Sequence, residues 1–296
     1  MAVNKKIIFR RIKSVKSTRK ITKAMELVAA AKMRKATAQA EAGRPYLQYL
    51  IEAVSDVSSR VEIENRLFAQ TESNKSLVFI FMSDRGLCGG YNAQMIRALR
   101  RFIDEKGKDV FFETVTFGKR AALAANKLGM RLVGSYSDVT QAPSYETVRP
   151  ATAAMIDDFI QGKYKEVLIA YTDYKSPMSQ VPRIHRLLPL SRELPEIDMV
   201  DVETKKMSDK TFIVEPEPSI VLDKLFVHLV KSFVYHSLLE AVASEQSARR
   251  VAMQNATDAA EEMIEDLTLT FNQARQSGIT QEIAEKTHKT IFDQSL

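Results

Sequence analysis

The chain has 296 residues, with 43 Lys and Arg against 37 Asp and Glu and a formal net charge of +6. That length admits one large domain or two small ones, and the lone Cys88 excludes a disulfide framework and a cysteine metal site. No apolar run approaches the roughly 20 residues of a membrane helix, and the start, MAVNKKIIFRRIKSVKS, lacks the apolar core of a secretory signal.

The positive charge is gathered at the start. Up to Ala40 there are twelve Lys or Arg residues and one acid, Glu26. Such a run fits a solvated helix face, or contact with nucleic acid, anionic lipid or an acidic protein surface. It also resembles an organellar presequence, but the helical pattern passes residue 40 without a break, so removal is not expected. Residues 2–42 contain neither Gly nor Pro, which predicts a helix of about 60 Å ended by Gly43 and Pro45. Its expected seam is Ile21, Ala24, Val28, Ala31, Lys35, Ala38 and Ala42, in steps of three and four. A further helix is expected over 46–61.

The middle of the chain alternates two patterns. Short runs rich in β-branched and aromatic residues at 76–83, 110–117, 130–136 and 166–172 predict strands. Helical patterns lie between them at 92–105, 119–128 and 147–161. This order predicts a mainly parallel sheet covered on both faces, a Rossmann-like α/β domain. PRIHRLLPLS (182–191) is expected to add an edge strand, where proline is tolerated. Residues 192–218 are acidic and proline-bearing and predict an exposed excursion.

From Ser219 to Leu296 there is no proline and one glycine, Gly278. An unbroken helix of that length would measure roughly 115 Å, too long to fold into a compact domain. Leu222, Leu225, Phe226, Leu229, Val230 and Phe233 form a broad apolar face near its start. Farther on, Met253, Ala256, Ala260, Met263, Leu267, Thr270 and Ala274 form a heptad seam. The two terminal helices are expected to pair antiparallel, with the end of the longer one extending past Met1. The expected organisation is an N-terminal coiled-coil helix (1–60), a central α/β domain (75–190), an exposed connection (191–218) and a C-terminal coiled-coil helix (219–296).

Chemistry has little purchase. SDRGLCGGYN (83–92) follows a strand and precedes a helix, where an α/β sheet binds phosphates. It is neither GxGxxG nor a P-loop. Spacing alone fits a tight turn over a buried Cys88, with Asp84 and Arg85 free to pair with each other or with a partner. His185, His228, His236 and His288 show no ligand spacing, and Asp157–Asp158, Glu261–Glu262 and Glu265–Asp266 read as solvated helix faces. No catalytic arrangement, cofactor or metal is expected.

Four stretches taken together resemble the gamma subunit of F-type ATP synthases: ITKAMELVAAAKMRKA (21–36), SDRGLCGGYN (83–92), ASEQSARRVAMQNATDAAEEMI (243–264) and LTLTFNQARQSGITQEI (267–283). The resemblance runs end to end and in order. It implies a non-catalytic rotor whose coiled coil stands inside a hexamer of alpha and beta subunits. The α/β domain would sit on the membrane c-ring beside the epsilon subunit, one copy per complex, peripheral to the cytoplasmic face of a bacterial membrane. Proton flow would turn the ring and shaft, coupling to ATP synthesis or hydrolysis in the hexamer.

The resemblance also assigns contacts by motif. Met25 corresponds to a position facing an acidic beta-subunit loop, and Arg275, Gln276 and Thr280 to polar beta contacts. Glu215, in FIVEPEP, corresponds to the foot near the c-ring. SDRGLCGG is a family signature that binds no nucleotide. A cysteine-bearing regulatory insertion of the chloroplast version is absent, which favours a bacterial enzyme. One departure is the ending EKTHKTIFDQSL (285–296), where the family has a small apolar tail; the tip is expected to be dispensable. The alternatives are a nucleic-acid-binding coiled coil using the basic helix, marked by steep salt dependence, and a nucleotide-binding α/β enzyme using residues 83–92. Neither accounts for the long terminal helix.

Overall fold

The computed structural model describes residues 5–58, 65–107, 109–190, 215 and 217–293, with side chains, Pro218 aside, up to Ala284. They fall into two compact units, one combining Met1–Val28 with Arg250–Leu296, the other Ala29–Arg249. Two long helices, α1 (Lys5–Ser58) and α5 (Pro218–Asp293), contribute to both.

In the first unit the two helices pair antiparallel. Phe9 and Phe271 meet with ring centroids 6.1 Å apart, Arg19 pairs with Glu261 at 2.6 Å, and Thr22 Oγ1 lies 2.8 Å from Thr257 Oγ1. Residue numbers rise on one helix as they fall on the other. Lys5 packs over Gly278, and residues 279–284 beyond it are all exposed. The expected extension of α5 past Met1 turns on residues 1–4, which lie outside the described residues.

The α1 seam lies one to two positions from the expected one. Ile21, Ala24, Val28, Ala31, Lys35, Ala38 and Ala42 are all exposed. Ile8, Ile12 and Thr22 are buried in the first unit, and Ala29, Met33, Ala36, Ala40, Leu47, Leu50, Val54 and Val57 in the second. Steps of three and four fit either register. The larger side chains at 8, 12, 33, 47, 50, 54 and 57 decide for the buried one, because they remove more apolar area from water. On α5, Met253 and Ala260 are buried and Leu267 and Ala274 partly so, as expected. Ala256 is partly buried too, beside the buried Thr257, whereas Met263 and Thr270 face water and Ile264 and Phe271 turn inward in their place.

Gly43 and Pro45 do not end α1, which runs unbroken through both. Proline forfeits the bond to the carbonyl four residues back, at about 3 kcal/mol. Burial of Leu47, Leu50, Val54 and Val57 beyond it, at about 1.5–3 kcal/mol per side chain, outweighs that cost.

The second unit is built on a five-stranded sheet of β1 (Lys75–Phe81), β2 (Phe111–Phe117), β3 (Arg131–Tyr136), β4 (Glu166–Ser176) and β5 (Ser179–Leu188). Their order is β3-β2-β1-β4-β5, with only β5 antiparallel. The hairpin strand β5 begins at Ser179 rather than Pro182, and edge position spares Pro182 a missing ladder bond. Between strands come α2 (Tyr91–Lys106), α3 (Lys119–Lys127) and α4 (Tyr145–Ile160). Alternate residues of a strand face opposite ways. Val78, Ile80, Met82, Leu168 and Ala170 accordingly pack with α2 and α3. Leu77, Phe79, Phe81, Ile169 and Tyr171 pack with α4, α1 and α5. The expected connection, 191–218, lies almost wholly outside the described residues.

Helix α5 does contain a stretch long and apolar enough to pass as a membrane span, contrary to the sequence expectation, but 67% of it is buried inside the protein. Leu222, Phe226, Val230, Val234 and Leu238 are core residues on the sheet.

An ionic cluster around a buried carboxylate joins α1, α5 and β4. Glu240, 1% exposed, lies 3.6 Å from Arg44 and 3.4 Å from His236, and accepts a hydrogen bond from Tyr174 N–H at 3.1 Å. Burial pushes the carboxyl up, but His236, the Tyr174 N–H and Arg44 together outweigh it and hold it below its ordinary 4.5. A depressed folded value stabilises above the unfolded pKa, and that stability disappears as pH falls through the folded value.

Two outcomes are expected in urea unfolding of the full chain. Ala36→Glu should cost at least about 3 kcal/mol by burying an unpaired charge, whereas the exposed Ala31→Glu should change stability by no more than about 0.5 kcal/mol; equal effects would refute the observed seam. Glu240→Gln should destabilise more near pH 6 than near pH 4, below the ordinary carboxyl value, where the unfolded chain takes up the proton that the folded one resists. A cost independent of pH would contradict the assigned cluster.

Candidate functional site

The loop after β1 is built to hold α5. Asp84, nearly buried, accepts hydrogen bonds from Lys119 N–H (3.1 Å), Asp138 N–H (3.0 Å) and Thr140 Oγ1 (3.1 Å). It therefore ties β1 to the turns after β2 and β3 rather than pairing with Arg85. Gly118 completes the junction at φ +101, where an added Cβ would lie 2.1 Å from Met82 O. No other residue fits that approach.

Inside the loop, Ser83 Oγ donates to Arg85 O at 2.8 Å and Asn92 Nδ2 to Ser83 Oγ at 2.7 Å. Cys88 is 2% exposed, as expected, and burial pushes its thiol up, which suits a packing residue rather than a nucleophile. The loop offers α5 its carbonyls. Arg249 Nη2 donates to Arg85 O at 3.2 Å and to Gly86 O at 3.4 Å. Arg249 Nη1 reaches Glu245 at 2.6 Å, and Tyr91 OH donates to Ala241 O at 3.1 Å. Burial pushes the Glu245 carboxyl up, and Arg249 partly opposes this. The motif SDRGLCGGYN and the motif ASEQSARR are thus two halves of one clamp, whose partners lie too far apart in the chain for any spacing to reveal the pairing.

A different surface belongs to the first unit. Large apolar side chains there face water: Ile7, Phe9, Ile21, Leu27 and Val28 on α1, and Leu269, Ile279 and Ile283 on α5. Leu27 is 60% exposed and Leu269 62%. Soluble monomers rarely leave such patches uncovered unless they bind something. Among them Arg10, Arg11, Lys13, Lys16 and Lys20 are also exposed. The sequence signal was present. Ile7, Ile21 and Val28 lie seven or fourteen residues apart, beside the true seam, so α1 carries more apolar surface than one partner helix can cover.

The structure places the expected contact residues in three locations. Arg275, Gln276 and Thr280 are exposed on adjoining turns of α5, with Thr280 Oγ1 donating to Gln276 O at 3.0 Å. Met25, partly buried on α1, lies opposite the region of residue 255, about 30 Å along the helix from that group. Glu215 is exposed ahead of α5 and belongs to the other unit.

The family described as ATP synthase matches residues 4–286. The sodium-ion-specific ATP synthase gamma chain of Acetobacterium woodii is 39% identical, covering 96% of this chain and 97% of its own. The ATP synthase gamma chain of Alkaliphilus metalliredigens is 38% identical, with coverages of 96% and 97%. Among solved structures, a chain from the central stalk and c-ring of the Tetrahymena thermophila mitochondrial ATP synthase superposes with a TM-score of 0.55 at 28% identity. That match covers 80% of this chain and 99% of the other. The chain belongs to the ATP synthase gamma chain family, the non-catalytic rotor subunits of the central stalk.

Proposed function

We propose that this rotor couples proton flow through a membrane c-ring to ATP synthesis or hydrolysis in a hexamer of alpha and beta subunits. One copy stands in each complex, with the epsilon subunit beside its α/β domain, peripheral to the cytoplasmic face of a bacterial membrane. The observation that carries the reading is the band of exposed apolar and basic side chains on the two-helix unit. A surrounding ring of subunits would cover the apolar part and present acidic groups to the basic part. Charge pairing across water couples without locking.

Coupling requires only that the coil's faces differ. The two helices carry opposite charge: residues 5–28 have nine Lys or Arg and one acid, residues 250–284 six acids and two Arg. Each orientation then contacts the three beta subunits differently, and rotation passes that differential contact free energy from one to the next. In this reading Met25 faces an acidic beta loop, and Arg275, Gln276 and Thr280 make polar contacts with beta. Glu215 lies at the foot on the c-ring. The clamp of Arg249 and Tyr91 on α5 would keep the helix from slipping against its domain under torque.

Reconstitution with alpha and beta subunits tests the reading. One chain per six partners is expected, and a binary complex or none would refute it. The triple variant Ile21→Asp, Leu27→Asp, Val28→Asp should keep the melting temperature of the isolated chain, since all three are exposed. It should weaken assembly at least tenfold, about 1.4 kcal/mol. Truncation after Ile283 should retain ATP-driven turnover; its loss would show that the tail acts as a bearing.

A further inference from the structure

Outside α1, positive charge gathers on one helical face of the second unit. Helices α2 and α3 pack on the same side of the sheet, and their exposed residues include Arg97, Arg100, Arg101, Arg120 and Lys127. Arg186 of β5 pairs across from Leu168, whose side chain packs under these helices, so it faces the same way, and it is exposed. Arg97, Arg100 and Arg101 fall within about one turn of α2 and form no ion pair among the described residues. The acids of α2 are Asp104 and Glu105, in its last turn, and α3 has none.

A cavity of about 470 Å³ opens where the two helices end. Ile103, Val110, Phe112, Leu128 and Met130 give it an apolar floor. Lys75 and Arg131 in its wall are taken up by Glu113, at 3.6 and 3.4 Å. Phe111, also in the lining, is 62% exposed, and Leu123 of α3 is 60% exposed. Ile103 follows Arg97 by about 9 Å along α2, so one short segment can reach both the arginines and the cavity.

Together these features select a partner. Unpaired guanidinium groups on a rigid helix suit carboxylates, which they bind in bidentate geometry. An apolar pocket with exposed apolar neighbours suits one large anchor side chain. Asp104 and Glu105 stand where the basic face meets the cavity. A phosphate backbone or an anionic lipid surface would press charge against them, whereas a peptide can place a neutral residue there. We propose that the outer face of α2 and the cavity at its end dock an acidic peptide segment of a partner protein. Its carboxylates meet Arg97, Arg100 and Arg101, and a large apolar side chain enters the cavity. Docking there does not depend on rotor assembly, and the isolated full-length chain tests it.

The probe is a synthetic peptide of consecutive glutamates ending in Gly-Trp, blocked at both ends. Because the chain has no Trp, the emission reports the anchor alone. Titration should give a saturable blue shift, with affinity falling as salt rises. The same peptide with Ala for Trp should compete at least tenfold more weakly. Arg97→Glu, Arg100→Glu and Arg101→Glu together should weaken binding at least tenfold and keep the melting temperature, since all three are exposed. Val110→Phe, which narrows the cavity, should reduce the Trp peptide to the affinity of the Ala peptide. Reversal on α1, by Arg10→Glu, Lys13→Glu and Lys16→Glu, should leave the blue shift unchanged. No saturation, equal competition by the Ala peptide, a blue shift indifferent to Val110→Phe, or loss on the α1 reversal in place of the α2 reversal would each overturn the proposal. So would binding to phosphatidylglycerol vesicles or single-stranded DNA that the α2 reversal abolishes, with none to the peptide.

Discussion

The antiparallel seam between α1 and α5 is the constraint on which the rest of the structure depends. It joins the two ends of the chain, so everything between them must leave along one helix and return along the other. Small residues make that close approach possible. Ala29, Ala36 and Ala40 are buried on α1, and a Cβ on Gly43 would lie 3.7 Å from His236 of α5. Larger side chains there would force the helix axes apart and forfeit close-range dispersion contacts along both faces. In the first unit the same pairing leaves no room for a conventional core. Two helices can bury one stripe each, and the remaining apolar surface faces outward.

In the second unit the seam is anchored by polar chemistry. Arg249 and Tyr91 fasten α5 to the loop after β1, and Glu240 fastens it to Arg44 of α1 and to the backbone of β4. Tyr91 and Glu240 are buried and Arg249 nearly so, where hydrogen bonds are directional and an unpaired partner is costly, while Arg44 reaches in from the surface. They fix register in a way that a greasy helix on a greasy sheet would not. A helix that must carry torque needs that, since apolar contacts alone resist sliding weakly.

Much of this was legible in the residues. The strands at 75–81, 111–117 and 131–136 fall within two residues of their sequence pattern, because parallel strands are dense in β-branched and aromatic side chains. Three features were not. The α1 seam lies one to two positions from the one its spacing suggests, since Ile21 and Val28 belong to a second, exposed apolar stripe, and spacing cannot tell a buried stripe from an exposed one. Pro45 reads as a helix stop in the sequence, although burial of Leu47 and Leu50 beyond it carries the helix through. The clamp joining Arg85 and Gly86 to Arg249 spans more than 160 residues of sequence, and only the folded sheet brings its halves together.

The central claim is that the seam holds the chain as one rotor turning inside stationary partners. It is tested most directly by watching a single complex. The alpha and beta subunits are fixed to glass and a bead is attached through Met178→Cys, a position 80% exposed; Cys88 is buried and does not compete for the label. Stepwise rotation in one direction on addition of ATP is the predicted result. A bead that only fluctuates, on complexes that hold the chain and hydrolyse ATP, would contradict the account.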